Sequence, residues 1–323
     1  MKTVRVGFIG VGSIAEHHIK LVQQVEDAVV SAVFDVNAER ANYIASTYGA
    51  EVFTDSAELI NSGKVDALFI CTPPFAREGF VEQATAKGIP LFIEKPAARN
   101  LEDAERYLEL IRKSGVINSS GYCLRYRPGV QKAKQYLQGK QVNLVMAYRI
   151  NPTPPLTWFP NESLSGGQML DQTTHQIDLV RYVAGEIQEL RSIYAQRSIR
   201  DSHPEATIPD VGVVEFKMNS GAIGTIVNSC VSRHFSKGDV EIIGPDYYVG
   251  ILGDTLIIRD DEQKFEETYT TNFYLEQDRS FIEAVRTGNQ NLILCDYAEA
   301  VETLKVTLGA NTSAETGQTV IIG

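Results

Sequence analysis

Four residues between Ser165 and Tyr182 are of types that could move a proton: Asp171, His175, Asp178 and Tyr182, at steps of four, three and four. On a helix residues so spaced are surface neighbours, which would put the His175 imidazole between two carboxylates. An imidazole with an ordinary pKa of about 6.5 can take a hydroxyl proton near neutral pH. A carboxylate beside it would orient the ring and favour its protonated form. Leu170, Ile177, Val180 and Ala184 fall on nearly the opposite side, spaced for burial. Ser165 with Gln168 three residues on predicts a capping box at the helix start, and Gly166-Gly167 would let another group approach the backbone. Asp171 then belongs to the first turn, where the helix dipole favours its ionised form. A polar stripe opposite an apolar one is ordinarily a solvated face, so its meaning depends on what the rest of the chain builds around it.

The chain has 323 residues, 43% of them hydrophobic and 22% charged, which suits two domains with sizeable cores. Its net charge of −11, with no Lys/Arg run, argues against nucleic acid or an anionic membrane as partner. Cys71, Cys123, Cys230 and Cys295 lie far apart and form no metal-type pair, which fits a reducing, cytoplasmic setting. Three ligands on one helix (Asp171, His175, Asp178) converge poorly on a tetrahedral ion, so no metal is expected. Lys2 and Arg5 before Val6–Ala15 imitate a signal peptide, but a strand and glycine turn explain that stretch better.

The positioning elements begin at the N-terminus. Val4–Ile9 reads as a strand, Gly10-Val11-Gly12-Ser13-Ile14-Ala15 as a turn into a helix to about Val25, and Val29–Phe34 as a second strand ending at Asp35. That order is the signature of a dinucleotide-binding unit. Gly10 serves the tight turn, Gly12 the close approach of a pyrophosphate, Ser13 and Ile14 open the helix that receives its charge, and Asp35 reaches the ribose. Asp35 favours NAD over NADP, with NADP left possible because Arg40 is near. Helix and strand then alternate through Ala38–Tyr48, Glu51–Phe53, Ala57–Ile60, Val65–Cys71, Arg77–Lys87, Pro90–Ile93, Leu101–Ser114 and Val116–Gly121. Thr72-Pro73-Pro74 and Glu94-Lys95-Pro96 each end a strand, at the carboxyl edge where such sheets line a ligand crevice.

After Tyr122 the pattern changes. Val142–Ile150 is extended, and Asn151–Pro160 is a stiff loop with four prolines, Trp158 and Phe159. Extended runs follow at Leu190–Tyr194, Val211–Met218, Ala222–Val231, Val240–Ile243 and Thr255–Arg259, with a hairpin signal at Asn219-Ser220-Gly221. Helices at Tyr274–Arg286 and Asp296–Thr312 and a strand at Thr319–Ile322 close the chain. The expected fold is α/β. Residues 1–122 form a doubly wound parallel Rossmann domain, and 123–323 an α/β domain with a large, mainly antiparallel open sheet. Val211 and Val213 point opposite to Val214, Phe216 and Met218, so both sheet faces need cover, one of them from a second subunit.

Taken together, the chain resembles the glucose–fructose oxidoreductase/inositol dehydrogenase (Gfo/Idh/MocA) family over essentially its whole length. The marks are Gly10 to Ala15, Thr72-Pro73-Pro74, Glu94-Lys95-Pro96, Arg125 after Gly121-Tyr122, Gly166-Gly167 with Asp171, His175 and Asp178, and Ser313-Ala314-Glu315-Thr316-Gly317. The resemblance implies a hydride transfer between a nicotinamide cofactor and a sugar, polyol or related alcohol, with assembly to a homodimer or homotetramer through the C-terminal sheet. It puts the family's catalytic Lys on Lys95 and its Asp and His on Asp171 and His175. A lysine ending a strand at the crevice can polarise a substrate oxygen near the nicotinamide, which agrees. The implied cofactor contacts are Gly10, Gly12, Ser13, Ile14, Asp35, Arg40, Thr72, Pro73, Pro74, Glu94, Lys95 and Arg125. Substrate contacts are expected from Lys95, Tyr122, Arg125, Tyr148, Trp158, Asp171 and His175, with Tyr148 or Tyr122 the alternative base. Arg77 stands where many relatives have His, Pro74 where Asn is frequent, and Phe159 where Arg is common after Trp158. The other reading of the fold is a dinucleotide-bound sensor without turnover.

Overall fold

A computed structural model describes residues 3–77 and 79–323. Lys2, part of the leader-like pattern, and Glu78, within the helix expected over Arg77–Lys87, lie outside them. The chain divides into two compact units: residues up to Tyr126 with Asn272–Val301, and Arg127–Thr271 with Glu302–Gly323.

The first unit holds strands β1 (Val4–Ile9), β2 (Ala28–Phe34), β3 (Glu51–Phe53), β4 (Ala67–Ile70), β5 (Leu91–Ile93) and β6 (Asn118–Ser120). All pair in parallel, in the order β3-β2-β1-β4-β5-β6. Between them run helices α1 (Ser13–Val22), α2 (Ala38–Tyr48), α3 (Ser56–Asn61), α4 (Phe80–Ala86) and α5 (Leu101–Ser114). The central strands are buried on both faces, which is why they read as unbroken apolar runs. Strand order reverses between β1 and β4, and the crevice outside their carboxyl ends is the usual ligand position in such sheets. Helix α4 starts later than the apolar pattern suggested. Pro74–Ala76 form a 3₁₀ turn, and Gly79, at φ 86°, breaks the chain before it.

The second unit opens with α6 (Pro128–Leu137), β7 (Leu144–Ile150), α7 (Glu162–Ser165) and α8 (Thr174–Ala184). Strands β8 (Ile187–Ala195), β9 (Val211–Met218), β10 (Ile223–Ser229), β11 (Val240–Ile243), β12 (Tyr248–Leu252), β13 (Thr255–Arg259) and β14 (Lys264–Thr268) follow. Helices α9 (Phe273–Thr287) and α10 (Tyr297–Thr316) and strand β15 (Val320–Ile321) end the chain. The nine-stranded sheet runs β14-β13-β12-β11-β7-β10-β9-β8-β15 and is antiparallel except for the β7/β10 pair. Its two faces differ. Val214, Phe216 and Met218 are buried on the side covered by helices, whereas Val213 is 46% and Ile193 72% exposed on the other.

The two compact units are not divided at 122/123. The first unit runs on to Tyr126, and it takes back Asn272–Val301 from the C-terminal half. The reason is packing. Phe8, Phe69 and Phe92 stack across three neighbouring strands, with centroids 4.9 and 4.4 Å apart, and Phe281 of α9 meets Phe69 and Phe92 edge-on. Phe281 and Ile282 are part of the same core as α1 and β1. Without α9 that aromatic surface would face water, at about 25 cal/mol per Å².

Candidate active site

Gly10 leaves β1 at φ 80°, a conformation that favours glycine, and a Cβ there would come within 2.8 Å of the Thr72 side chain. Gly12 is the opposite case: a Cβ would meet nothing within 4 Å, so its backbone borders open space. Asn37, Asp55 and Asn100 cap α2, α3 and α5, but no side chain caps α1, whose first turn holds Ser13 and Ile14. A pyrophosphate fits that gap, because the first amides of a helix attract anions. Asp35 ends β2 with its carboxylate fixed by two amides, Val11 N–H donating to Oδ2 at 2.7 Å and Asn37 N–H to Oδ1 at 2.8 Å. Each oxygen retains a second lone pair for a ribose hydroxyl. Arg40 is engaged within the protein, through Nε to the Val11 carbonyl at 2.8 Å and Nη2 to Glu16 at 2.6 Å. Its guanidinium, with Lys20, holds the Glu16 carboxyl down at about 2. Thr72 Oγ1, with Pro73 and Pro74 next to it at the end of β4, is buried and has no hydrogen-bond partner among the described residues. Gly10, Gly12, Asp35 and Thr72 thus lie just beyond the carboxyl ends of β1, β2 and β4.

Lys95 follows β5 in a turn that is held from both sides. Its own N–H donates to Glu94 Oε2 at 3.1 Å, and its peptide bond to Pro96 is cis. Arg77, fully buried, donates to the carbonyls of Thr72 (3.2 and 3.3 Å), Lys95 (3.4 Å), Ala97 (3.3 Å) and Pro96. One guanidinium thus ties the Thr72 turn to the Lys95 turn, a use of Arg77 that spacing could not reveal. Glu94 is buried as well, and His18 Nε2 lies 3.0 Å from its Oε1. The other ring nitrogen of His18 lies 2.9 Å from both oxygens of Asp278 on α9. Burial alone would lower the pKa of His18, but Asp278 and then Glu94 outweigh it and raise it to about 10. Burial raises the Asp278 carboxyl. His18 therefore keeps its proton between Glu94 and Asp278. Sequence reasoning missed His18 and Asp278, which are 260 residues apart with no shared motif.

In the second unit the Ser165–Tyr182 stretch is not one regular helix. Ser165 ends α7, and its Oγ accepts from Gly167 N–H at 3.0 Å, so the expected capping box is not formed. Gly166 and Gly167, both in the left-handed region, turn the chain into a π-helical segment, Met169–Thr173, ahead of α8. Such turns recur at functional sites because they re-aim side chains that an α-helix would stack. Asp171 lies in the π turn and is 3% exposed, while His175 in the first turn of α8 is half-buried. Gln172 Nε2 donates to Asp171 and accepts, through Oε1, from Arg149 at 2.8 Å. The later members of the polar stripe serve packing: Asp178 accepts from Thr303 at 3.1 Å, and Tyr182 bonds Gln131. Leu170, Ile177 and Val180 are buried as their spacing required.

The remaining expected residues are widely placed. Tyr122 is buried in the first unit, and Arg125 beside it donates to the Leu294 carbonyl at 2.7 Å and pairs with Glu299 at 3.0 Å. Tyr148 stands on the open sheet face under the Lys237 ammonium, 3.7 Å from its ring centre. Trp158 packs on a cluster of Phe159, Ile199, Ala206, Ile208 and Cys230. All four cysteines are free and buried. Among the described residues no three His, Cys, Asp or Glu side chains gather as a metal site, and no helix is long and apolar enough to cross a membrane.

Residues 4–122 match the profile described as an oxidoreductase family with an NAD-binding Rossmann fold, and residues 130–247 match the GFO/IDH/MocA C-terminal domain. The chain belongs to the Gfo/Idh/MocA oxidoreductase family. Within the family it is similar to a myo-inositol 2-dehydrogenase of Thermotoga maritima, 29% identical over 90% of this chain and 88% of the other. It is also similar to an NAD⁺-dependent scyllo-inositol 2-dehydrogenase of Bacillus subtilis, 26% identical over 98% and 96%. A levoglucosan dehydrogenase solved with NADH and L-sorbose superimposes with a TM-score of 0.89 over the whole of both chains; at 17% identity it shows the fold. The first unit of this Gfo/Idh/MocA member is thus an NAD-binding Rossmann unit, with the Gly10–Asp35 geometry to match.

Proposed function

We propose that the protein is an NAD-dependent dehydrogenase of inositols or related polyols and sugars, with Lys95, Asp171 and His175 as its acid–base set. The observation that carries this is end-to-end relatedness to inositol 2-dehydrogenases in a chain that has Lys95, Asp171 and His175. His175 takes the proton of the substrate hydroxyl. Asp171 orients its ring and stabilises the imidazolium. Lys95, its backbone fixed by Glu94 and Arg77, presents an ammonium to the developing alkoxide. The bound nicotinamide would supply the hydride acceptor. Tyr122, Arg125, Tyr148 and Trp158 are retained as proposed substrate contacts.

NAD is preferred to NADP on charge. Asp35 repels a 2′-phosphate, and Arg40, which could have offset that, is already paired with Glu16. The proposed assembly is a homodimer or homotetramer through the open sheet face, where Ile193, Val213, Val227 and Tyr148 pair in one row across four strands. Four buried thiols fit a reducing compartment such as the cytoplasm. Screening inositols and aldoses with NAD⁺ and following reduced nicotinamide tests the activity. Turnover of a polyol is expected; NADH binding without turnover of any would indicate a sensor instead. Light scattering tests the assembly, and a monomer at micromolar concentration would refute it.

A further inference from the structure

A cavity of about 340 Å³ lies in the second unit, and neither Asp171 nor His175 lines it. That volume is within the range of small-molecule sites, about 300–1,000 Å³. Four of its lining residues are amides, and each donates from its NH₂ to the protein. Gln168 donates to the Arg149 carbonyl at 3.5 Å, and Asn228 to Thr173 Oγ1 at 3.0 Å. Asn311 donates to the Gly166 carbonyl at 3.0 Å, and Gln196 to the carbonyls of Ala206 and Ile208 at 3.0 and 2.9 Å. Among the described residues no donor is bonded to their side-chain oxygens, although Gln168 and Asn228 are only 5% exposed. Glu162 and Glu315 add two carboxylates, and no Lys or Arg is among the lining residues. Burial, then the charge of Glu315, raises the Glu162 carboxyl. Tyr194, whose Oη is buried, also lines the cavity.

The cavity therefore has a surplus of acceptors. Acceptors that face a cavity with no protein donor on them are met by an occupant that brings donors. Two carboxylates with no cation beside them further favour positive charge. We infer that this cavity binds a hydroxyl-rich ammonium compound of one-sugar size, of the amino-sugar class, at a site distinct from Asp171 and His175. The hydroxyls satisfy the amide oxygens of Gln168, Asn228, Asn311 and Gln196, and the ammonium group lies between Glu162 and Glu315.

Calorimetric titration of the whole protein, without nicotinamide, tests this with glucosamine and glucose as probes. Glucosamine should bind saturably and glucose at least about tenfold more weakly, since only the former carries a charge-assisted donor. Glu162→Gln with Glu315→Gln should weaken glucosamine about tenfold or more, and Tyr194→Phe should weaken it less. Both glutamates are exposed, so the double variant should keep the wild-type unfolding midpoint and NADH affinity. His175→Ala should bind glucosamine as the wild type does. The inference is overturned by absent saturation, equal affinity for the two probes, an unaffected double variant, or loss of binding in His175→Ala.

Discussion

His18 and His175 sit in two different surroundings. His18 is fully buried at hydrogen-bonding distance from Glu94 and Asp278, and those carboxylates keep it protonated to about pH 10. A group that holds its proton across the neutral range cannot serve as a base there. It is a fixed positive charge that joins α1, the Lys95 turn and α9. His175 sits half-exposed just after a π turn, on a helix whose other face is fully packed. A histidine between acids becomes structural when burial is complete, whereas an imidazole only partly buried stays within reach of solvent or ligand.

That contrast can be broken by substitution. Lys95→Ala and His175→Ala should each lower turnover on the substrate found by screening by about 10²–10⁴ while NADH still binds. Near-normal turnover in His175→Ala would move the base to Tyr148 or Tyr122. His18→Leu should act on stability instead, costing about 3–5 kcal/mol in denaturant unfolding, because Glu94 and Asp278 lose their buried counter-charge. Adding Glu94→Gln and Asp278→Asn to His18→Leu should recover part of that loss. If His18→Leu unfolds like the wild type, the imidazolium is not the brace described above.

Smaller effects sharpen the same comparison. Asp171→Asn should cost less rate than His175→Ala and should move the acidic limb of the pH–rate profile down, since an imidazolium loses its anionic neighbour. An unmoved limb would detach Asp171 from His175. For His18 the folded pKa lies above the unfolded one, so its contribution to stability is fully present below about pH 6.5 and is lost as pH rises through about 10. The stability difference between wild type and His18→Leu, measured by denaturant midpoints, should therefore shrink from pH 7 toward pH 10.5. A constant difference would mean that charge is not what His18 contributes.

Local patterns in the sequence carried much of this. Apolar runs that alternate with helical spacings, the Gly10–Ala15 turn and Asp35 predict the Rossmann unit, since each reflects steric or charge needs within some thirty residues. Val211–Met218, apolar on both sides, predicts a sheet with two faces to cover, and within the chain β9 buries the side of Val214, Phe216 and Met218 while Val213 stays exposed. Four elements of the second unit were not read, the single turn of α7 among them. Helix α6 has few apolar positions, β12 is interrupted by Gly250, and β14 is largely exposed and polar. The capping box at Ser165 failed because two left-handed glycines and a π turn intervene, and single-residue spacing does not distinguish a π turn from an α turn.

By itself the sequence determined the nucleotide turn, the strand-end position of Lys95, the proximity of Asp171 and His175 along one short segment, and the acidic charge. Only the tertiary structure decided which histidine is clamped between carboxylates, that Arg77 collects the carbonyls around Lys95, and that α9 completes the first unit's core. Each of these joins residues far apart in the chain, His18 with Asp278 and Phe69 with Phe281 among them. Their partnership depends on burial and on side-chain direction at a shared surface, and neither quantity is a function of spacing along the chain.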